Sequence, residues 1–316
     1  MKKLRILTML GALVALSGCF KEEYGFCPDP YNVILHYRLP DGNGGCTFLS
    51  DISTVTTAVY DASGALVETV VTGAEDHDGF KGISLKLDPG TYRLAAWGNV
   101  DANTVFGDLT SCYTGGNPTV MYNSIVGGRV GDGDPVYYGP NTVRARSGND
   151  AGEFVITVAD DPYEGTLDFR HAHRRIEVFV KGFSAHGSTT PLLRLTGLPA
   201  GLTFLGMGQL AGEGLVNSEV QSQTVTVSEG GTNVAYALSP FHVFYLNTAD
   251  YDIGIEVIDP SNGEVVYTTR LEDHIDTSSD DPDKIILRLV LEFKGTTVTV
   301  TVPGWNSDDV DYGIFD

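Results

Sequence analysis

Along most of this chain apolar and polar residues alternate with a period of two, which turns one face of an extended segment toward a core and the other toward water. Tyr31 to Arg38 sets Val33, Leu35 and Tyr37 against Asn32, His36 and Arg38 and predicts a half-buried strand. The turn residues Pro40-Asp-Gly-Asn-Gly-Gly45 end it. Ile52 to Tyr60, rich in Thr and Val, is linked by Asp61-Ala-Ser-Gly64 to Ala65–Val71, a pattern that predicts a β-hairpin. Lys81 to Leu87 and Thr91 to Trp97 predict another, across Asp88-Pro-Gly90, where proline presets φ and glycine accepts positive φ. Gly98 to Asp134 is rich in Gly, Asn and Asp, and long loops are expected there. Val136 to Tyr138 and Glu153 to Val158 resume the strand pattern. The first half is mainly β.

Asp160-Asp-Pro-Tyr163 is polar and proline-bearing, as a boundary between domains would be, and a fresh run of strands follows it. The run opens with Leu167 to Lys181. Further strands are predicted at Leu192–Leu198, Gln223–Val227, Val234–Leu238 and Phe241–Leu246. Tyr251–Ile258 and Glu264–Leu271 form a hairpin across Asp259–Gly263, and Lys284–Phe293 turns at Lys294-Gly295 into Thr296–Val302. Many short strands separated by turn signals indicate sandwiches or barrels; with about seven strands per half, two β-sandwiches in tandem fit best. The expected organisation is all-β, with one sandwich over 31–162 and a second over 163–316. The two halves share strand patterning without a detectable sequence repeat.

The first residues break this pattern. Lys2, Lys3 and Arg5 precede an apolar run from Ile6 to Leu16, and the small pair Ser17-Gly18 precedes Cys19. The run is too short for a membrane span of about 20 residues and suits a secretory signal peptide over 1–18. Small residues immediately before a cysteine resemble the lipobox of bacterial lipoproteins. That resemblance implies diacylation of the Cys19 thiol, cleavage before it and acylation of the new amino group. Two or more acyl chains hold a protein stably on a membrane where one does not. Residues 19–30 would then be a lipidated tether. An ordinary signal peptide with an incidental cysteine is the plainer alternative.

The chain has 316 residues, 20 Lys and Arg against 41 Asp and Glu, and a net charge of -21. The first 18 residues hold three of the bases and none of the acids, so the remainder has 17 bases against 41 acids, or -24. Such a surface repels phosphate backbones and anionic lipid, which argues against nucleic-acid partners and leaves membrane attachment to the lipid. If Cys19 is acylated, Cys27, Cys46 and Cys112 remain, an odd number for an oxidising compartment. One disulfide and one buried thiol are expected. Sequence does not say which two pair; Cys27 with Cys46 is preferred because both flank the first predicted strand.

Candidate chemistry is thin. His171-Ala-His173 places two imidazoles on one face of a strand, but Arg170, Arg174 and Arg175 flank them and disfavour a cation, so a structural role is expected and no metal. The acidic run Glu272–Asp283 lacks the spacing and glycine of an EF-hand and is expected to be a solvated loop. Asp132-Gly-Asp134 and Asp41-Gly-Asn43 are expected to be solvated too. No Gly-x-Ser-x-Gly, His-Glu-x-x-His or phosphate-binding glycine loop occurs, and no local motif singles out paired carboxylates. Trp97, Trp305 and the tyrosines could line a sugar-binding face, but at alternating strand positions they belong more often to a core. No enzyme and no cofactor is expected.

Several segments together resemble the FimB-like fimbrial anchor subunits of the Bacteroidales, the lipoprotein bases of their pili. They are Cys27-Pro28 with Val33–Tyr37; Val55–Val67 with its Asp-Ala-Ser-Gly turn; Leu87-Asp-Pro-Gly-Thr-Tyr-Arg-Leu-Ala-Ala-Trp-Gly-Asn99; Phe169–Val178; and Val298–Trp305, which ends in Gly-Trp. Lys21, Glu22 and Glu23 resemble the export signal that carries such lipoproteins to the outer leaflet of the outer membrane. The resemblance implies two transthyretin-like sandwiches, a fimbrial stalk subunit as partner, and a possible host surface ligand reached through the assembled fimbria. In that family stalk subunits polymerise by strand exchange after a protease removes the first strand, a form of β-augmentation. An anchor keeps that strand, because losing it severs the lipid. Tyr31–Arg38 is therefore expected to stay and close the chain's own groove, leaving Thr296–Asp316, with Val298, Val300 and Val302, to engage the first stalk subunit. Two rivals stand beside this: a surface glycan-binding lipoprotein, and a polymerising or accessory subunit cut after Arg38.

Overall fold

The computed structural model describes residues 31–40, 46–73, 82–112, 120–140, 154–186, 190–204, 215–229, 231–244, 252–274, 286–295 and 297–302. The signal peptide, Cys19, Lys21, Glu22, Glu23, Cys27, Asp41–Asn43, Trp305 and most of the acidic run after Asp273 lie outside them. The described chain is β throughout, apart from the single-turn α1 (Phe48–Asp51) and short 3-10 turns.

Two sheets face each other across the first core. One orders β11 (Tyr163–Asp168), β1 (Val33–Arg38) and β4 (Gly82–Leu85), with β1 in the middle, parallel to β11 and antiparallel to β4. The other orders β12 (Arg170–His171), β9 (Tyr137–Gly139), β5 (Gly90–Gly98), β2 (Thr54–Tyr60) and β3 (Leu66–Gly73), with β10 (Phe154–Val158) also beside β5. Val33, Leu35 and Tyr37 pack between them against Val55, Val59, Leu94, Ile156, Leu167 and Phe169. The β2–β3 hairpin forms as its alternation predicts. Asp61 Oδ1 accepts from the amides of Ser63 and Ala65, and Gly64 takes φ +83.

The second predicted hairpin does not form. β4 pairs with β1 while β5 lies in the opposite sheet, so Asp88-Pro-Gly90 is an arch between sheets and Gly90 has no positive φ. Ile83, Leu85 and Leu87 from one arm and Tyr92 and Leu94 from the other enter the same core. Two strands facing each other across a core carry the same alternation as two strands paired edge to edge, so the pattern alone could not separate them. Asn32 fixes the arch. Its amide donates to Leu87 O at 2.7 Å and its carbonyl oxygen accepts from Leu87 N at 2.9 Å, and the Tyr92 hydroxyl donates to Asp88 O.

Two further sheets enclose the second core. One orders β17 (Gln223–Glu229), β18 (Thr232–Phe244), β13 (His173–Lys181), β21 (Ile286–Lys294) and β22 (Thr297–Thr301). The other orders β20 (Val265–Arg270), β19 (Gly254–Ile258), β14 (Leu192–Pro199), β16 (Leu215–Gln221) and β8 (Arg129–Val130). The hairpins β19–β20 and β21–β22 form where predicted. Residues 163–168, which follow the Asp160–Tyr163 step, return to the first sheet beside β1, and the chain passes to the second pair of sheets around Ala172.

The segment expected as long loops knits the halves together. Its β6 (Thr104–Phe106) and β7 (Val120–Tyr122) form a sheet with β15 (Gly201–Leu202), and β8 joins β16. Tyr60, Trp97 and Tyr138 from the first half therefore share one apolar cluster with Ile176, Leu195 and Phe241 from the second. Asp134, expected to be solvated, is buried. Its carboxylate accepts from the amides of Asp101 and Asn103, the Asn103 side chain and the Thr104 hydroxyl, the last at 2.6 Å. A carboxylate that receives four donors supplies a loop with the acceptors its amides need.

Candidate assembly site: the first and last strands

β1 is sealed along both edges. Val33, Leu35, Tyr37 and Leu39 are buried, while Ile34, His36 and Arg38 face outward. On the outer face His36 Nε2 lies 2.9 Å from Glu164 Oε1, and Arg38 grips its register partner Asp168 with two bonds, Nε to Oδ1 at 2.6 Å and Nη2 to Oδ2 at 2.7 Å. On the inner face the Tyr37 hydroxyl lies 2.7 Å from Thr57 Oγ1 in the opposite sheet, and its ring packs against Phe48 and Phe169. Burial pushes the Tyr37 pKa up to about 12. A Cβ on Gly82 would overlap the Leu35 carbonyl, so only glycine lets β4 approach this closely.

The bond after Arg38, the candidate cleavage point, is equally enclosed. Phe169 N donates to Arg38 O at 2.6 Å, Thr47 N donates to Leu39 O at 3.1 Å, and Leu39 is buried. A protease must draw several residues around its target bond into an extended, solvated conformation. Here the arginine side chain, both carbonyls and the next side chain are already engaged.

β22 differs on every count. It ends its sheet, pairs among the described residues with β21 alone, and alternates exposed and half-buried side chains. Val298, Val300 and Val302 pack on the rim of the large core, whereas Thr297, Thr299 and Thr301 face water. The structure thus brings the three predicted valines to one face of an edge strand. The strands beside β22 are held by a charge that sequence reasoning overlooked: fully buried Glu177 takes Arg288 Nε at 2.8 Å and Arg175 Nη2 at 2.9 Å. Glu177 and Arg288 face each other in register on parallel strands, a pairing that alternation cannot reveal.

His171 and His173 sit where the chain passes from the first sheets to the second. Their rings meet edge to face at 5.3 Å, Tyr137 lies against both, and His173 Nδ1 donates to Val136 O at 2.9 Å. Burial lowers the His171 pKa to about 4, and burial, with His171 beside it, lowers that of His173 to about 3. Both are neutral packing groups at neutral pH. Among the described residues, no group of three or more His, Cys, Asp or Glu is placed to hold a metal ion. Trp97 is fully buried, so it is a core residue and not part of a surface platform. Cys46 is exposed where it bridges Pro40, while Cys27 lies outside the described residues. Among the described residues, no helix is long and apolar enough to cross a membrane.

Among the described residues the first strand lies in the middle of its sheet and the last ends its sheet. Residues 26–311 match the family of fimbrillin-A associated anchor proteins Mfa1 and Mfa2, and the chain belongs to that family. No curated protein matches the sequence. Among solved structures, a proposed adhesin from Bacteroides thetaiotaomicron VPI-5482 is similar with a TM-score of 0.63 at 18% identity, covering 89% of this chain and 98% of that one. The fimbrial anchor protein Mfa2 from Porphyromonas gingivalis gives a TM-score of 0.61 at 15% identity, covering 86% and 97%. A proposed adhesin from Bacteroides ovatus gives 0.60 at 14% identity, covering 85% and 95%. At these identities the three structures share the fold with this chain.

Proposed function

We propose that this protein is a non-enzymatic lipoprotein that holds a fimbria at its base, tied to the outer membrane through acyl chains on Cys19. Lys21, Glu22 and Glu23 direct it to the cell surface, and Thr296–Asp316 contacts the first stalk subunit by strand exchange. Host surfaces are met by the assembled fimbria and not by the base itself. Residues 31–162 and 163–316 make its two sandwiches, with Tyr163–Asp168 lending a strand back to the first, and a Cys27–Cys46 disulfide ties the tether to the start of the fold.

The observation that carries this reading is the position of β1. A subunit that is to receive a neighbour's strand must first lose its own, and here β1 occupies the middle of its sheet, buried and bonded along both edges, which opposes its release. The enclosed Arg38–Leu39 bond speaks against a subunit cut after Arg38. The glycan-binding rival loses Trp97, Tyr60 and Tyr138 to the core. Cells producing the chain without Thr296–Asp316 test the proposal. Folded, membrane-bound truncated protein with fimbriae shed into the medium is the expected result, and fimbriae still held on the cells would end this reading.

A further inference from the structure

Resting on that reading of the protein as a fimbrial base, the patch where β1 meets β11 takes on a mechanical role. We propose that β1 and β11 form a shear clamp, which carries tension from the fimbria to the lipid and keeps the first strand from slipping under load.

The path of the load follows from topology. A filament held at its base passes any pull on it through the base to the membrane. The pull enters this chain at the tether, just before β1, and leaves through the second pair of sheets. The chain crosses between the halves where Asp168, the end of β11, leads through Phe169 and Ala172 to β13. The strand that follows the tether and the strand that precedes the crossing are therefore neighbours, and they pair in parallel from Val33↔Tyr163 to Arg38↔Asp168. Both start at the tether end and finish at the crossing. Tension acts on the start of β1 and on the end of β11, at opposite ends of the patch. It drives one strand along the other and loads all the bonds between them together. Pulling on two ends that lie side by side would instead open the same bonds one after another.

Several contacts resist sliding. Tyr163 N donates to Asn32 O at 2.9 Å and Phe169 N donates to Arg38 O at 2.6 Å, closing the ladder at its two ends. Between them the register is unbroken, with the evenly spaced bonds of a parallel pair. Arg38 and Asp168 add two bonds straight across it, at 2.6 and 2.7 Å. An exposed ion pair adds little to equilibrium stability, but a shift of one residue parts both of its bonds. The same shift turns Val33, Leu35 and Tyr37 away from the core they fill with Leu167 and Phe169. β4 holds the other side of β1, so leaving sideways means breaking a second ladder.

The clamp is tested by stretching single molecules of the full mature chain, unlipidated, with Cys27→Ser, Cys46→Ser and Cys112→Ser. These changes remove the proposed Cys27–Cys46 bridge, which would add a second attachment beside Pro40. One handle is fixed at Ser184→Cys, an exposed position beyond β13. The other is the Cys19 thiol or, with Cys19→Ser, Pro40→Cys at the far end of β1. Opening of residues 33–168 lengthens the molecule by roughly 450 Å. At equal force the first half is expected to stay folded at least about tenfold longer when pulled through Cys19 than through residue 40. Arg38→Met and Asp168→Asn are each expected to shorten the lifetime through Cys19 about threefold. Equal lifetimes through the two handles overturn the clamp. So does a short first step of about 40 Å, in which β1 comes away alone. A clamp that fails in either way leaves the fimbrial base reading standing, because the truncated chain on cells tests that reading separately.

Discussion

The first and last described strands carry the same alternation of apolar and polar residues, yet among the described residues β1 has a strand on each side and β22 has one. In β1 the inward residues Val33, Leu35 and Tyr37 are buried to within a few per cent, and the outward residues are bridged to neighbours through His36–Glu164 and Arg38–Asp168. In β22 the corresponding valines are half-buried and the outward residues are bare threonines. Alternation reports which face of a strand is covered. It does not report how many edges are paired, and edge pairing separates a strand that completes a fold from one that can recruit another chain.

The contrast is tested first by its largest consequence. Leu35→Ala empties a site closed on all sides and is expected to cost about 3 kcal/mol, while Val300→Ala at the rim costs about 1 kcal/mol, both measured by denaturant unfolding. Equal losses would remove the distinction between the two strands. Asn32→Ala leaves the amide and carbonyl of Leu87 without their side-chain partner and is expected to cost about 2 kcal/mol, loosening the arch that places β4 beside β1. Hydrogen exchange should then rise in β4 before it rises in β22.

The smallest effect concerns the link between the two regions. His171 and His173 titrate near 4 and 3 when folded and near 6.5 when unfolded, so the unfolded chain takes up protons first as pH falls. Their contribution to stability is complete above about pH 6.5 and is lost as pH drops toward 4. A decline on the order of 1 kcal/mol between pH 6.5 and 5.5 is expected from His171 alone, read as the difference in pH profile between the native chain and His171→Phe. Identical profiles would mean that His171 carries no acid sensitivity.

Much of the fold was legible in the residues. The β2–β3, β19–β20 and β21–β22 hairpins follow from turn residues that accept positive φ at Gly64, Gly263 and Gly295, a local chemistry that sequence shows directly. The arch at Asp88–Gly90 was not legible, because strands paired in one sheet and strands opposed across a core obey the same period. The strands hidden within 98–134 were missed for another reason: two- and three-residue strands carry no period, and their partners β15 and β16 lie far along the chain. The burial of Asp134 and Glu177 depends on donors from distant segments, and an acid among 41 acids shows no sign of them. At the assembly site, alternation marked the valines of β22 and the inward face of β1, whereas the sealed edges of β1 are a property of topology.

The proposal that the first strand is never released has one direct test, which is the start of the mature chain in protein taken from native outer membranes. Mass spectrometry and N-terminal sequencing are expected to find a blocked, acylated Cys19 and an intact Arg38–Leu39 bond. A chain beginning at Leu39 would mean that β1 is removed after folding, and would make this protein a polymerising subunit instead of a base.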